Sequence, residues 1–274
     1  MREGSIDERN QGFRSTHMLP SPVNLERRDW IAGLEKGLSV IEAFDAEHSR
    51  MTASQAAQRC GLTRTAARRH LLTLAHLGYV GTDGKLFWLT PRILRLGQAY
   101  LESARLPRAV YPYLQRVTAG TGETAYVAVL DQDDVVYVAR SGTHRHMNTG
   151  YMLGSRVQAH VTAAGIVIIS MMGPAVWDDW LAAQTLRPYT SHTVMDKAQL
   201  RLCLEQARAQ GWYISEQQLE MNYRGIAVPL YDHNDSLVGA LSITMPMNNE
   251  SSEAAIKRVL PVLQETARSM RPML

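Results

Sequence analysis

Apolar positions recur at helical spacing early in the chain and alternate with polar ones later. From Gly33 to Phe44 (GLEKGLSVIEAF), Leu34, Leu38, Ile41 and Ala43/Phe44 predict a supporting helix. A shorter helix follows, with Thr52 as its N-terminal cap, Ala53 to Gln58 as its body and Gly61 as its left-handed end. Thr63 then caps a third helix. At about 100° per residue, Ala67, His70, Leu71 and Leu74 share one side, while Arg64, Thr65, Arg68, Arg69 and Leu72 share the other. Beyond it, Tyr79 to Leu89 is two β-prone runs around Asp83-Gly84, which predicts a hairpin with Lys85 at its tip. Thr90-Pro91 reads as the cap and first position of a helix from Arg92 to about Ser103, ended by Pro107.

The rest of the chain mixes strand-like and helix-like stretches. Glu123 to Leu130 with Val135 to Ala139, and Gly225 to Leu230 with Leu237 to Thr244, each flank a polar turn and read as hairpins. Thr162 to Met172, a stretch from Asp196 to Gly211, and a long segment from Ser252 read as helices. An antiparallel sheet with helices on its faces follows, so the fold class is α+β. The predicted organisation is a disordered tail over 1–28, a winged helix-turn-helix over 29–90, a linker helix over 91–106 and an α/β domain over 107–274.

Two short helices joined by a glycine turn, the second opening on basic and small polar residues and followed by a wing, form the geometry that seats a recognition helix in the major groove of double-stranded DNA. The candidate DNA-binding residues are Thr63, Arg64, Thr65, Arg68, Arg69 and Lys85: arginine bonds guanine bidentately, Thr65 reaches phosphate or a thymine methyl, and Arg69 and Lys85 suit phosphate. Charge agrees with this. Residues 1–108 hold 16 Lys and Arg against 11 Asp and Glu, and the remainder 13 against 15. Paired half-sites need paired recognition helices, so a homodimer is expected.

Composition, 45% hydrophobic over 274 residues, fits a globular protein with its own cores. No apolar run reaches the roughly 18 residues of a membrane span, and the first 28 residues lack a signal-peptide core. Cys60 and Cys203 stand alone and read as buried thiols of a reducing cytoplasm. GxSxG, HExxH, P-loop and GxGxxG motifs are all absent, so no catalytic residue and no cofactor is assigned. The His144-x-His146 pair is read as exposed loop histidines rather than a metal site.

The segments LEKGLSVIEAFD, LTRTAARRHLLTLAHLGYV and DGKLFWLTPRILRLG resemble the DNA-binding domain of IclR-type bacterial transcriptional regulators, and most the subgroup controlling aromatic-acid catabolism. The resemblance runs from about Asp29 through nearly the whole chain, including GWYISEQQLEMNYRGIAVPLYD from Gly211. It implies operator binding by a homodimer or homotetramer and a GAF-like domain that senses a small organic acid. Departures fall in that domain: Gln218 for the usual glutamate, Asn222 and Tyr223 for glycine and leucine, Gly225 for Cys, Ser or Ala, and Ile166 for a basic residue.

Arg140 to Gly165 concentrates Arg140, His144, Arg145, His146, Arg156 and His160 without an acidic residue. It then meets a helix start at Thr162-Ala163-Ala164-Gly165, where open N–H groups favour a carboxylate. An aromatic carboxylate effector such as 4-hydroxybenzoate or protocatechuate needs flat apolar walls, for which Tyr126, Met147, Met152, Leu153 and Tyr223 are candidates. Packing explains each of these equally well, as a salt bridge to Glu123 or Glu220 explains Arg140. A short aliphatic acid is the alternative effector, and an enzyme carrying a helix-turn-helix interaction module, or a scaffold without DNA contact, the alternative class.

Overall fold

The computed structural model describes residues 25–26, 28–142 and 151–274, so most of the expected tail lies outside the described residues. The chain divides into two units between Ser103 and Ala104. The first contains α1 (Ala32–Glu42), β1 (Met51–Thr52), α2 (Ala53–Arg59), α3 (Arg64–His76), β2 (Val80–Thr82) and β3 (Leu86–Leu89). Thr52 and Gln55 close a capping box: Gln55 N–H donates to Thr52 Oγ1 at 3.3 Å and Thr52 N–H to Gln55 Oε1 at 2.9 Å. Gly61, at φ +63°, turns the chain toward α3 in a conformation that side chains resist. Thr63 Oγ1 then accepts from Ala66 N–H at 3.2 Å, and α3 begins. Val40, Met51, Ala56, Leu71, Leu74, Val80 and Phe87 form the core of this unit.

The predicted hairpin is part of a three-stranded sheet of order β1-β3-β2, with Met51 opposite Phe87. After it, Thr90 caps a short 3-10 turn (Pro91–Ile93), and α4 runs from Leu94 to Ser103. Pro107 does not end this helix, contrary to the sequence reading. Ala104 separates α4 from α5 (Arg105–Thr121), and Pro107 lies in the first turn of α5, where its missing N–H has no intrahelical partner to lose.

The second unit is built on β4 (Thr124–Asp131), β5 (Asp134–Ser141), β6 (Arg156–Gln158), β7 (Tyr213–Glu216), β8 (Tyr223–Tyr231) and β9 (Leu237–Pro246). They form one antiparallel sheet of order β6-β5-β4-β9-β8-β7. α5 and α9 (Ser252–Met270, capped by Ser251) cover one face, where Ala125, Val127, Ile226, Val228, Leu241 and Ile243 meet Leu114, Val259 and Leu263. Against the other face pack α6 (Ala163–Met172), α7 (Pro174–Ala183) and α8 (Lys197–Gln210). Among the described residues, no helix is long and apolar enough to cross a membrane.

The sequence of α6, AAGIVIISMM, is apolar on every side, and its residues from Ala163 to Ser170 are all buried. It lies on a floor of small residues, Gly225, Ala227, Ala240 and Ser242, that alternate with the large ones of the opposite sheet face. Gly165 brings the helix close to the preceding turn, since a Cβ there would stand 2.2 Å from the Ala159 carbonyl oxygen. Backbone cannot swing aside as a side chain does. Gly165→Ala is therefore expected to destabilise this unit by about 1–3 kcal/mol. Thermal or urea unfolding of the variant measures it, and wild-type stability would refute the close approach.

Candidate functional site

The exposed side of α3 carries Arg64, Thr65, Arg68, Arg69 and Leu72, while Ala67, Leu71 and Leu74 are buried and His70 is half-buried. The helical period thus separates two chemistries within four turns. Among the described residues, Arg64, Arg68 and Arg69 have no ion-pair partner. Arg59 on α2 differs: it donates to the Ala43 carbonyl at 2.9 Å and pairs with Asp45 at 2.6 Å, so its charge is structural. The hydroxyl of Thr63 is engaged as the cap of α3, which leaves it a positioning role. At the wing tip, Asp83 Oδ1 accepts from Lys85 N–H at 3.0 Å and Leu86 N–H at 2.8 Å. These bonds, chiefly that of Leu86, hold the Asp83 carboxyl below its ordinary pKa. The Lys85 side chain is exposed.

In the second unit a pocket of about 470 Å³, counting its open mouth, lies between the head of α6, the β8 and β9 floor and the connection from β7 to β8. Thr162, Ala163 and Tyr223, all expected from the sequence, line it together with Ala164, Tyr137, Tyr151, Gln217, Gln218 and Glu220. Thr162 Oγ1 accepts from Gly165 N–H at 2.9 Å, and the Thr162 carbonyl accepts from Ile166 N–H at 3.1 Å. The donors remaining at the helix head belong to Ala163 and Ala164. Tyr137 and Tyr151 stack at 4.9 Å with 6° between their planes. Burial drives both phenols well above the ordinary tyrosine pKa, reinforced for Tyr151 by Glu220. They therefore stay neutral hydrogen-bonding groups.

Arg224 also borders the pocket, but its guanidinium is occupied. It donates to the Ser251 carbonyl at 3.0 Å and the Glu250 carbonyl at 2.8 Å, and its Nε lies 3.0 Å from Glu216 Oε1. Gly225 deepens the floor, because a Cβ there would reach within 3.6 Å of Ala163 Cβ. The wall between β7 and β8 is fixed by Gln217 and Asn222, at φ +55° and +63°, with Asn222 N–H donating to Gln217 Oε1 at 3.1 Å. Gln218, itself part of the lining, ties this wall to the preceding segment by accepting from Val194 N–H at 2.7 Å, while Ile166 belongs to the core.

The other expected pocket residues that the structure describes are not in this lining. Tyr126 is behind Tyr137, ring centroids 5.0 Å apart, with its hydroxyl buried beside Arg140. Arg140 has its Nε buried without a hydrogen-bond partner among the described residues, and Glu123 pairs with Arg258 at 3.0 Å instead. His160 is buried in the turn before α6, where desolvation lowers its pKa. Gly165 is used in packing, and Met152 and Leu153 are exposed. Met147, like His144, Arg145 and His146, lies outside the described residues. Arg156 is tied to Asp131 and, at 3.2 Å, to Asp134.

The sequence reading overlooked Tyr137, Tyr151, Gln217 and Glu220. Only Tyr137 left a signal, as a large residue on the inward parity of an alternating strand.

Comparison with known proteins accounts for both units. A family model described as "IclR helix-turn-helix domain" matches residues 33–84, and one described as "Bacterial transcriptional regulator IclR C-terminal" matches residues 98–271. The chain is similar to the Pca operon regulatory protein of Acinetobacter baylyi, with 35% identity over 98% of each chain. It is also similar to the p-hydroxybenzoate hydroxylase transcriptional activator of the same organism, with 36% identity over 92% of this chain and 94% of that relative. Among solved structures it resembles a double mutant of the PobR transcription factor inducer binding domain from Acinetobacter, in complex with 3-hydroxybenzoic acid. That likeness has a TM-score of 0.59 and 30% identity, covering 62% of this chain and 100% of the other.

Proposed function

Because the chain belongs to the IclR family of bacterial transcriptional regulators, we propose that it controls an aromatic-acid catabolic operon through an aromatic carboxylate bound at the head of α6. The observation that carries this reading is one pocket joining open helix-head donors to stacked, neutral phenols. The carboxylate sits on the Ala163 and Ala164 N–H groups, where the helix dipole favours negative charge. The ring lies against Tyr137, Tyr151 and Tyr223, and Glu220 or Gln217 accepts a ring hydroxyl. Relatives named for p-hydroxybenzoate metabolism, or solved with 3-hydroxybenzoic acid, favour 4-hydroxybenzoate or protocatechuate.

The effector shifts DNA binding only if it has different affinities for two arrangements of the protein. A thermal-shift screen of hydroxybenzoates against glyoxylate and pyruvate tests the pocket. An effector at about a hundred times its Kd adds ~2.7 kcal/mol of stability, a rise of about 5–10 °C for a unit of this size. Stabilisation by the short acids alone would discard the aromatic assignment and keep the regulator.

On the DNA side, Arg64 and Arg68 read base edges in the major groove, Thr65 and Arg69 hold the flanking backbone, and Lys85 reaches it from the wing. Replacing Arg64 and Arg68 with alanine is expected to abolish preference for a duplex selected from a random pool, while melting temperature barely moves. Retained preference would take base reading away from α3.

Two copies supply the paired recognition helices. Trp30, Ile31, Leu34 and Leu38 at α1 and Leu94, Leu96 and Tyr100 on α4 are large apolar side chains left exposed within the first unit, and a two-fold dimer covers them. Sedimentation is expected to give at least twice the 30.6 kDa chain mass. A monomer at micromolar concentration would contradict this assembly.

A further inference from the structure

The three-stranded sheet of the first unit has an inner and an outer face. Met51, Val80 and Phe87 point into the core. On the outer face Gly81 stands opposite Trp88, and Arg50, the residue before β1, lays its guanidinium over the Trp88 ring at 4.3 Å from the centroid. The indole rests on bare backbone, since a Cβ at Gly81 would fall 2.4 Å from Trp88 Nε1. A side chain at position 81 would push the ring away and scatter the arginine.

Stacking occupies the flat face of a guanidinium and leaves its edge of N–H donors open. Arg50 is exposed, and no acidic side chain among the described residues comes within ion-pair distance of it: Asp83 at the wing tip feels its charge at longer range and gives its Oδ1 to the Lys85 and Leu86 N–H groups, whereas Arg59 is held by Asp45 at 2.6 Å. A long cationic side chain normally loses much rotamer freedom on binding. Trp88 has already restricted Arg50. The sheet that carries it also carries the wing tip with Lys85, and the following residues lead directly into α2 and α3.

We propose that Arg50, pre-positioned by Trp88 and Gly81, binds a phosphate of the DNA backbone as a sequence-independent anchor beside the groove read by α3. The inference rests on the helix-turn-helix unit binding duplex DNA. A phosphate fits better than a base edge because the stacked side chain is held against the wing rather than extended from it.

The test compares R50Q, R50K and the Arg64/Arg68 double alanine variant on a duplex selected from a random pool and on its scrambled counterpart, across a salt series. R50Q is expected to weaken both duplexes by the same several-fold factor and to reduce the slope of log K against log salt by about 0.9. R50K, which keeps charge but fits the ring less well, keeps the slope and loses part of the affinity. The double alanine variant loses discrimination between the duplexes instead.

Unchanged affinity and slope for R50Q, beside a wild type that still discriminates, would overturn the role of Arg50 alone. A lower melting temperature with an unaltered slope would reduce the stack to a structural one and equally overturn it. A loss confined to the selected duplex would make Arg50 a base reader, against the proposal. A wild type that binds neither duplex would overturn it together with the DNA reading.

Discussion

The close seat of α6 on the sheet is the constraint from which the sensing unit follows. A helix apolar on all sides has to be covered everywhere, and the sheet accommodates it by placing Gly225, Ala227, Ala240 and Ser242 beneath it. The large residues of the same strands go to the opposite face, against α5 and α9. This division also makes the pocket. Small side chains under the head of α6 leave room beside its first turn, and Tyr137 and Tyr151 border that room with flat surface.

The DNA-binding unit solves a different problem, because its useful side chains must remain outside a core. Local hydrogen bonds do much of the work. The Thr52 and Gln55 box starts α2, Gly61 redirects the chain, and the Thr63 cap fixes the first turn of α3, so Arg64 and Thr65 emerge at a defined place. Ala67, Leu71 and Leu74, with Ala75 partly buried beside them, anchor the helix from below. Arginines with similar local sequence surroundings therefore have unlike tasks: Arg59 ties α2 to the Ala43 and Asp45 segment, while Arg64 and Arg68 project outward.

What could be read beforehand from the chain divides along the same line of local against distant. Caps at Thr52, Thr63, Asp196 and Gly211, both hairpins and the two faces of α3 are encoded within a few residues, and all are present. Pro107 misled because proline is a breaker inside a helix and an acceptable residue in its first turn, and only the break at Ala104 tells which applies. β1, with two residues, and β6, with three, are too short for alternation to reveal. Pocket membership was harder still. Thr162, Ala163 and Tyr223 were legible from the helix start and the strand beginning, but Tyr151 reaches Tyr137 through the turn before β6, where Gly154 and Ser155 bond the Tyr137 backbone. Arg156 looked like part of a basic approach until the turn between β4 and β5 supplied Asp131 and Asp134.

That same arginine has a consequence for how copies of the chain avoid one another. The six-stranded sheet ends on its two shortest strands, β6 and β7, and Arg156 stands on the first, held in place by two aspartates. An edge this short and this charged offers little ladder for a foreign strand to extend. The architecture thus guards the sheet margin against edge-to-edge stacking of copies.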